Sequence, residues 1–251
     1  MKLQNKVAIV TGGAGYIGRA IAARLSREGA SVVIADLNLK GAQSVAARLA
    51  DDGATAAAVE LDLCDRGSIQ RLVEAVLKDF KAIDILVNNA GGSARLVGGT
   101  YGPFHEADDE VISRMIDINL KGPMLLTRAV ASHMVERRSG KIVNIGSICG
   151  VQGSPHSAAY SAAKGGIIAF TKSLAKGVGS FGITVNCVSP GLVPRPEEDP
   201  ARALRSNCLG RVCTGEDVAN LVCFLATDEA GFITGQNHII DGGRSLALKG
   251  D

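Results

Sequence analysis

The chain contains no tryptophan, and aromatic residues make up only 4% of its 251 residues. It also lacks an excess of either charge, because 27 Lys and Arg residues are balanced by 25 Asp and Glu residues, giving a formal net charge of +2. The basic residues are scattered along the chain, so neither a nucleic-acid-binding surface nor a polybasic membrane patch is predicted. No apolar run approaches the length of a membrane span, and Val7–Val10 is too short for the apolar region of a signal peptide.

The six cysteines do not form a metal-binding or disulfide motif. No C-x-x-C pair is present and no histidines cluster at ligand spacing, so we predict no metal ion. Most of the cysteines lie in apolar contexts, where a thiol behaves as a small hydrophobic side chain. A reducing, cytoplasmic location is the simpler interpretation.

Short apolar runs alternate with longer amphipathic stretches along most of the chain. Hydrophobic residues reach 46% and glycines number 31, as expected where many short strands are fully buried. The runs predict seven strands at Val7–Val10, Ser31–Ala35, Thr55–Leu61, Ile83–Val87, Lys141–Ile145, Thr184–Val188 and His238–Ile240. Helical periodicity lies between them, at Tyr16–Glu28, Leu39–Asp52 and Arg66–Phe80. This alternation predicts one α/β domain over residues 1–251, built as a Rossmann-type, doubly wound parallel sheet of about seven strands with helices on both faces.

A glycine-rich turn, Thr11–Gly18, follows the first strand and opens the first long helix. Such glycines allow a tight turn and let backbone N–H groups approach a pyrophosphate at the positive end of the helix. Asp36 lies at the end of the second strand. Its separation from the glycine turn is about the one at which the dinucleotide fingerprint places an acid that binds a ribose 2′-hydroxyl. A carboxylate there would repel a 2′-phosphate, and neither Ala14 nor Leu37 supplies a cation to offset the repulsion. NAD is therefore predicted rather than NADP.

Tyr160, Lys164 and Ser147 form a candidate acid–base group. Side chains four positions apart share one helix face, so the ammonium of Lys164 can lie beneath the Tyr160 ring. A free phenol has a pKa near ~10, and a fixed cation beside it lowers that pKa towards the range of efficient general acid–base catalysis. Ser147 can hydrogen-bond the same substrate oxygen. The group predicts proton transfer to or from a carbonyl or carbinol oxygen.

With these residues assembled, the chain resembles the short-chain dehydrogenase/reductase family, in its single-domain branch, over nearly its whole length. The markers occur in family order: the glycine turn, Asp62-Leu63, Asn88-Asn89-Ala90-Gly91, Asn119, Ser147, Tyr160-x-x-x-Lys164, Pro190-Gly191 and Asp241-Gly242-Gly243. The resemblance implies that Tyr160 is the catalytic acid/base, while Lys164 holds the nicotinamide ribose and lowers the pKa of the tyrosine. It also implies that Ser147 orients the reacting oxygen and that Asn119 holds a water that links Lys164 to solvent.

The resemblance also implies a dinucleotide site. Asp62 is similar to the residue that contacts the adenine amino group, and the Pro190–Val193 turn is similar to the one that borders the nicotinamide. The implied cofactor-binding residues are Gly12, Gly15, Tyr16, Ile17, Gly18, Asp36, Asp62, Leu63, Asn89, Ala90, Gly91, Tyr160, Lys164, Pro190, Gly191 and Val193. Family members commonly form tetramers through helices that here would span about 109–137 and 157–178, so a homotetramer or homodimer is expected.

Two positions depart from the family pattern. The single-domain branch usually has glycine where this chain has Tyr16. The spacing Gly12, Gly15, Gly18 is instead that of the extended branch, which includes sugar-nucleotide epimerases. Arg195 stands where the resemblance predicts a threonine that contacts the nicotinamide amide. We therefore expect altered cofactor contacts at Tyr16 and at Arg195.

Two irregular stretches, about 91–105 and 190–213, follow strands and are predicted to surround the substrate. Arg95, His156 and Arg195 lie in the loops expected near Ser147 and Tyr160. We hypothesise that at least one of these three binds an anionic or strongly polar group, as arginine does bidentately with carboxylates. The alternatives are that all three face solvent or that Arg195 meets the cofactor phosphates.

Together these patterns predict an NAD-dependent alcohol dehydrogenase or ketone reductase acting on a small secondary alcohol, namely a polyol, a hydroxy acid, or a cyclic alcohol or diol. A hydride would move between the carbinol carbon and the nicotinamide. Three alternatives stay open: an NAD-dependent epimerase, which the glycine spacing suggests, an NADPH-type 3-oxoacyl reductase, and a non-catalytic dinucleotide sensor. A small molecule is the expected partner, with no nucleic acid and no membrane.

Overall fold

The apolar runs form one parallel β-sheet in the computed structural model, which describes residues 1–99 and 102–246. The strands are β1 (Val7–Thr11), β2 (Ser31–Asp36), β3 (Ala56–Glu60), β4 (Ile85–Asn88), β5 (Gly140–Ile145), β6 (Ile183–Pro190) and β7 (Asn237–Ile240). Every residue of β1, β4 and β6 is buried, which accounts for the mainly apolar runs of β1 and β4, while β6 also buries the polar residues Thr184, Asn186 and Ser189. The predicted strands agree with the observed ones to within two residues at each end.

The strands lie in the order β3-β2-β1-β4-β5-β6-β7, and every neighbouring pair is parallel. From β1 the chain adds β2 and β3 on one side of the sheet. It then crosses back to the other side of β1, where β4 to β7 follow in order. In open α/β sheets a crevice opens beyond the carboxyl ends of the strands at such a reversal. The glycine turn after β1 and the segment Asn89–Gly91 after β4 meet at this crevice.

Helices cover both faces of the sheet, as predicted. They are α1 (Tyr16–Arg27), α2 (Leu39–Asp51), α3 (Arg66–Phe80), α4 (Asp109–Ile116), α5 (Gly122–Arg137), α6 (Cys149–Gln152), α7 (Ala158–Val178), α8 (Ala201–Arg205) and α9 (Gly215–Ala226). On one face α1 and α9 bury Ile21, Leu25 and Val222, and on the other α3 and α5 bury Leu72 and Leu126. Two apolar layers enclosing a parallel sheet confirm the Rossmann-type, doubly wound fold.

The stretch predicted as one helix from Asp109 to Arg137 is interrupted. A π-helical segment, Asp117–Lys121, separates α4 from α5. Pro123 lies in the first turn of α5 and has no N–H to donate to the carbonyl of Asn119, four residues earlier, so regular α-helical bonding cannot run through this point. Inserted π-helical turns of this kind frequently mark functional sites.

The two stretches predicted as irregular substrate loops contain short helical segments. The first carries 3₁₀ turns at Ala94–Val97 and Phe104–Glu106, and the second carries α8. Both follow strands at the carboxyl edge of the sheet, as expected. Within the described ranges, no helix combines the length and apolar character that crossing a membrane requires.

Candidate active site

A cleft of about 690 Å³ lies beyond the carboxyl ends of the strands. It is lined by every residue predicted to bind the cofactor: Gly12, Gly15, Tyr16, Ile17, Gly18, Asp36, Asp62, Leu63, Asn89, Ala90, Gly91, Tyr160, Lys164, Pro190, Gly191 and Val193. The residues that follow β2 and β3 form one end of this cleft, called here the β2–β3 end. Those that follow β5 and β6, together with α7, form the β5–β6 end. Motifs that are far apart in sequence thus share one cavity, although the role of each residue stays a prediction.

The glycine turn has the backbone geometry of a phosphate cradle. Gly12 has a φ of +61°, a left-handed conformation that favours glycine. A Cβ at Gly18 would collide with the carbonyl oxygen of Gly12, so the start of α1 packs directly on the turn. The Asn89 side chain donates hydrogen bonds to the carbonyl oxygens of Thr11 (2.9 Å) and Gly12 (3.1 Å), tying the turn to the segment after β4. The cleft therefore fits a dinucleotide whose pyrophosphate meets the N-terminus of α1.

Tyr16 occupies the first position of α1 and lines the cleft without disturbing the helix start. Its ring lies 5.4 Å from the Arg19 guanidinium carbon, one turn further along the helix. The Tyr16 side chain therefore lies beside the glycine turn, at a position where the family more often has glycine.

Asp36 is held by two backbone donors at the β2–β3 end. One carboxylate oxygen accepts a hydrogen bond from the Ala14 N–H and the other accepts one from the Asn38 N–H, each at 2.9 Å. Ala14 belongs to the glycine turn, so the carboxylate bridges the two segments that follow β1 and β2. Its position is fixed, and each oxygen keeps a second lone pair for a further donor.

Asp62 and Arg114 line the same end of the cleft. The Asp62 carboxylate accepts a hydrogen bond from the Cys64 N–H at 2.8 Å, and the Ser68 hydroxyl accepts one from the Asp62 N–H at 3.0 Å. Burial raises the pKa of the Cys64 thiol, Asp62 adds to that rise, and Arg114 opposes it. Arg114 is therefore near enough to the segment that follows β3 to act on the Cys64 thiol.

Tyr160 and Lys164 lie together at the β5–β6 end. The Lys164 Nζ is 5.7 Å from the centre of the Tyr160 ring and donates a hydrogen bond to the Ile145 carbonyl at 2.8 Å. Only 4% of Lys164 is exposed. Burial lowers the pKa of Lys164 to about 8, with a small opposing contribution from Cys187. At neutral pH the ammonium therefore still carries its charge.

Ser147 and Asn119 complete the predicted catalytic group. Ser147 lines the cleft, and its Oγ accepts a hydrogen bond from the Cys149 N–H at 3.1 Å. Asn119 is fully buried in the π-helical segment, behind the cleft wall. Its amide side chain exchanges two hydrogen bonds with the backbone of Gly92, at 2.9 and 3.0 Å. A Cβ added to Gly91 would lie 2.5 Å from Asn119 Oδ1 and 3.4 Å from Lys164 Nζ, so these groups are neighbours.

The three residues predicted to meet the substrate have different placements. Arg195 is exposed and lines the cleft. His156 is exposed in the turn before α7 and is not part of the described cleft lining. The side chain of Arg95 lies outside the part of the chain that the structure describes. Leu96, 60% exposed, and Leu192 add apolar surface to the cleft.

Several residues of the cleft were not predicted from the sequence. Leu37 and Asn38 could have been found from their adjacency to Asp36, and Ile118 from its adjacency to Asn119. Leu96 lies beside Arg95 in the predicted substrate stretch 91–105, whereas Arg114 carries no such signal. They reach the cleft because α4 and the 3₁₀ turn after β4 fold across its mouth, which depends on the tertiary structure.

Comparisons with known proteins bear on the family and the fold. A family model described as Enoyl-(Acyl carrier protein) reductase matches residues 12–245. The (2S)-[(R)-hydroxy(phenyl)methyl]succinyl-CoA dehydrogenase subunit BbsD of Thauera aromatica is 38% identical over 252 residues, covering 98% of this chain and 99% of that protein. Galactitol 2-dehydrogenase of Agrobacterium fabrum is 37% identical, covering 98% and 100%.

Two further relatives extend the comparison. The 3-oxoacyl-[acyl-carrier-protein] reductase FabG of Escherichia coli is 39% identical, covering 97% of this chain and 98% of that protein. Among solved structures, the crystal structure of gox2181 superposes with a TM-score of 0.92 at 33% identity, covering 98% of each chain. The chain spans nearly the full length of these relatives and shares their fold. It belongs to the short-chain dehydrogenase/reductase family and is an oxidoreductase that uses a nicotinamide cofactor.

Proposed function

We propose that the protein is an NAD-dependent dehydrogenase that interconverts a small secondary alcohol and its ketone, with Tyr160 as the acid/base. One observation carries the proposal: the Tyr160 ring lies 5.7 Å from the buried Lys164 ammonium in the same cleft that Asp36 closes at its other end. A proton-transfer group and a ribose-binding acid thus share one cavity.

The residues at the β5–β6 end divide the work of alcohol oxidation. The bound nicotinamide supplies the hydride acceptor. Tyr160 takes the proton of the substrate hydroxyl, and Ser147 holds the same oxygen in place by a hydrogen bond. The positive charge of Lys164, kept in a low-dielectric position, stabilises the negative charge that forms on the phenol oxygen. Asn119, bonded to Gly92, keeps the wall beside Lys164 in a fixed position.

The preference for NAD rests on Asp36. Two backbone N–H groups hold its carboxylate at the cleft wall, where it can accept hydrogen bonds from ribose hydroxyls. A 2′-phosphate at that place would meet a fixed negative charge, with no cation at Ala14, Leu37 or Asn38 to balance it.

The test is NADH formation from a panel of polyols, hydroxy acids and cyclic diols, followed by near-ultraviolet absorbance. We expect one class to be oxidised with NAD and the same class to react at least ~10-fold more slowly with NADP, the scale of a lost charged hydrogen bond. Equal rates with both cofactors would contradict the assignment of Asp36. Absence of NADH formation and of the reverse ketone reduction would contradict the function itself.

A second candidate is reduction of a 3-oxoacyl thioester, which the FabG relatives favour. The two candidates use the same proton route in opposite directions, because general acid–base catalysis is reversible. Acetoacetyl thioester with NADPH or NADH separates them. Faster turnover with NADPH than with NADH would favour the reductase and would remove the argument from Asp36.

We also propose a symmetric homo-oligomer that works in the cytoplasm as a one-domain enzyme. The assembly is supported by a groove between α5 and α7, about 510 Å³ in volume, which is lined by the exposed Met124 and the half-buried Phe170 and Leu174. Six free thiols support a reducing compartment. Light scattering tests the assembly: we expect a mass of two or four chains, and the Phe170→Glu variant should shift it to that of one chain.

A further inference from the structure

We propose that Arg195 binds a carboxylate of the substrate, so that the substrate class is a small hydroxy acid and its oxo acid. This inference rests on the proposed dehydrogenase function. It selects one member among the polyols, hydroxy acids and cyclic alcohols that the catalytic group by itself would accept.

The turn that carries Arg195 is closed without using its side chain. The Arg195 N–H donates to Oε2 of Glu198 at 3.0 Å, and the Glu198 N–H donates back to the Arg195 carbonyl at 3.0 Å. The Glu198 carboxylate is therefore engaged with the backbone. Within residues 1–99 and 102–246, the guanidinium of Arg195 makes no hydrogen bond or ion pair.

The charges on the cleft wall are separated along its length. Its described carboxylates, Asp36 and Asp62, follow β2 and β3, and Arg114 lies beside Asp62 at that same end. At the β5–β6 end the described lining carries the cations Lys164 and Arg195 and no carboxylate. The exposed carboxylates of Glu197, Glu198 and Asp199 follow Arg195 in the same turn but do not line the described cleft, so an anion inside this end meets the two cations of the lining.

Of these two cations, Arg195 is the one available to a substrate group away from the reacting carbon. Lys164 is buried, and its ammonium already donates to the Ile145 carbonyl. The Arg195 guanidinium is exposed on the turn after β6, and its planar fork matches both oxygens of a carboxylate. Leu96 and Leu192 line the same cleft and offer apolar surface to a short carbon chain.

The substrate carboxylate takes no part in the bond changes of the reaction, and the reaction balances without it. The hydroxy acid gives its hydroxyl proton to the Tyr160 phenolate, bound NAD⁺ would supply the acceptor for the carbinol hydride, and the product is the oxo acid with a carbonyl in place of the alcohol. The carboxylate stays ionised on Arg195 throughout. Its binding therefore changes affinity and orientation rather than the proton count of the reaction.

The experiment compares 2- and 3-hydroxy acids with their methyl esters, both enantiomers of each, as substrates with NAD. For the wild type we expect kcat/KM of the best acid to exceed that of its ester by roughly tenfold to hundredfold, the scale of a hydrogen-bonded charge pair. In Arg195→Met the ratio of acid to ester should fall to about one, while Arg195→Lys should keep part of it because the charge remains. Arg205→Met is the matched control, since Arg205 is exposed on α8 of the same loop but does not line the described cleft.

The outcomes separate the two proposals. If acids and esters are both oxidised with similar kcat/KM by the wild type, the dehydrogenase function stands and the role of Arg195 is wrong. If Arg195→Met raises the KM for NAD and leaves the ratio of acid to ester unchanged, the guanidinium binds the cofactor phosphates instead. If no panel member is oxidised and no oxo acid or oxo ester is reduced, the proposed function fails together with the inference.

Discussion

The two ends of the cleft differ in charge: the described lining has two carboxylates and Arg114 at the β2–β3 end, and two cations and no carboxylate at the β5–β6 end. At the β2–β3 end, Asp36 and Asp62 present carboxylates that backbone N–H groups hold in place. At the β5–β6 end, Lys164 and Arg195 present cations, one buried and one exposed. The first end is a set of fixed acceptors for hydroxyl and amino donors. The second end carries the proposed proton-transfer group and the proposed binding site for a carboxylate.

The difference shows how recognition and chemistry place different demands on the same fold. Recognition of a ribose needs acceptors with a fixed position, and the backbone at the turns supplies that position. Chemistry at Tyr160 needs a charge that water does not screen, so Lys164 is buried at some cost in stability. Substitutions at Tyr160, Asp36, Asp62 and Lys164 test this contrast, and one at His133, outside the cleft, has the smallest expected effect.

Removing the phenol hydroxyl at the β5–β6 end should have the largest effect. In Tyr160→Phe we expect kcat to fall about 10²- to 10⁴-fold, because general acid–base catalysis is lost, while the Kd for NAD changes less than about twofold. Steady-state kinetics and NADH binding by fluorescence measure the two quantities. The matched control is Tyr16→Phe, which removes a phenol hydroxyl beside the phosphate turn and should leave kcat within about twofold. Similar losses in both variants would contradict the division between the two ends.

Removing the carboxylate at the β2–β3 end should change cofactor choice rather than kcat. In Asp36→Ser the ratio of kcat/KM for NAD to that for NADP should fall roughly tenfold to hundredfold, because charged hydrogen bonds to the ribose are lost and repulsion of a 2′-phosphate disappears. In Asp62→Asn both cofactors should weaken together, because the adenine is common to both. An unchanged ratio in Asp36→Ser would show that another residue selects the cofactor.

Replacing the buried Lys164 should lower the activity and raise the stability of the protein. In Lys164→Met we expect loss of activity together with a gain of at most about 3 kcal/mol in the free energy of unfolding at pH 7, since a buried ammonium with a pKa of about 8 no longer has to be kept charged. The lost hydrogen bond to the Ile145 carbonyl reduces that gain. Chemical denaturation measures it, and Lys172→Met, exposed on the same helix, is the control.

The lowered pKa of Lys164 also predicts the pH range in which this residue changes the stability of the protein. The unfolded chain binds more protons than the folded one between pH 8 and 10.5, so the wild type should gain stability from this group as pH rises through that interval. The difference in stability between Lys164→Met and the wild type should therefore shrink above pH 8. A constant difference from pH 7 to 10.5 would contradict the lowered pKa.

The smallest expected effect comes from outside the cleft. His133 accepts a hydrogen bond from the Ile83 N–H at 3.4 Å, and burial, followed by Arg137, lowers its pKa. The unfolded chain then binds more protons just below pH ~6.5, so stability should fall as the pH drops through that range. In His133→Gln the loss of stability between pH 7 and pH 5.5 should be smaller by a few tenths of a kcal/mol. Thermal unfolding at the two pH values tests this, and an identical loss in both proteins would contradict it.

The sequence predicted most of the regular structure because the relevant signals are local. The bounds of α3, Arg66–Phe80, were predicted without error, and Asp65 caps that helix by accepting hydrogen bonds from the Gly67 and Ser68 N–H groups. The strand positions followed from continuous apolar runs. The break between α4 and α5 was not predicted, because a π-helical segment hardly changes apolar spacing and Pro123 is tolerated in the first turn of a helix.

Some residues of the candidate site were likewise predictable from the sequence, and others were not. Glycines in the phosphate turn, Asp36 at a strand end and the pair Tyr160–Lys164 are defined by their spacing along the chain, so the sequence alone identifies them. The contact between Asn119 and Gly92, the place of Arg114 on the cleft wall and the absence of His156 from its described lining depend on how loops cross the sheet edge.

By itself, the sequence determined the doubly wound sheet, the family and the chemical identity of the residues at each strand end, because periodicity and short motifs act over a few residues. Only the tertiary structure decided which of those residues share a cavity, which carboxylates are held by backbone donors, and how deeply Lys164 is buried. Those properties arise from packing between segments distant in sequence, and burial and neighbouring charges set the pKa values and the charge pattern of the cleft.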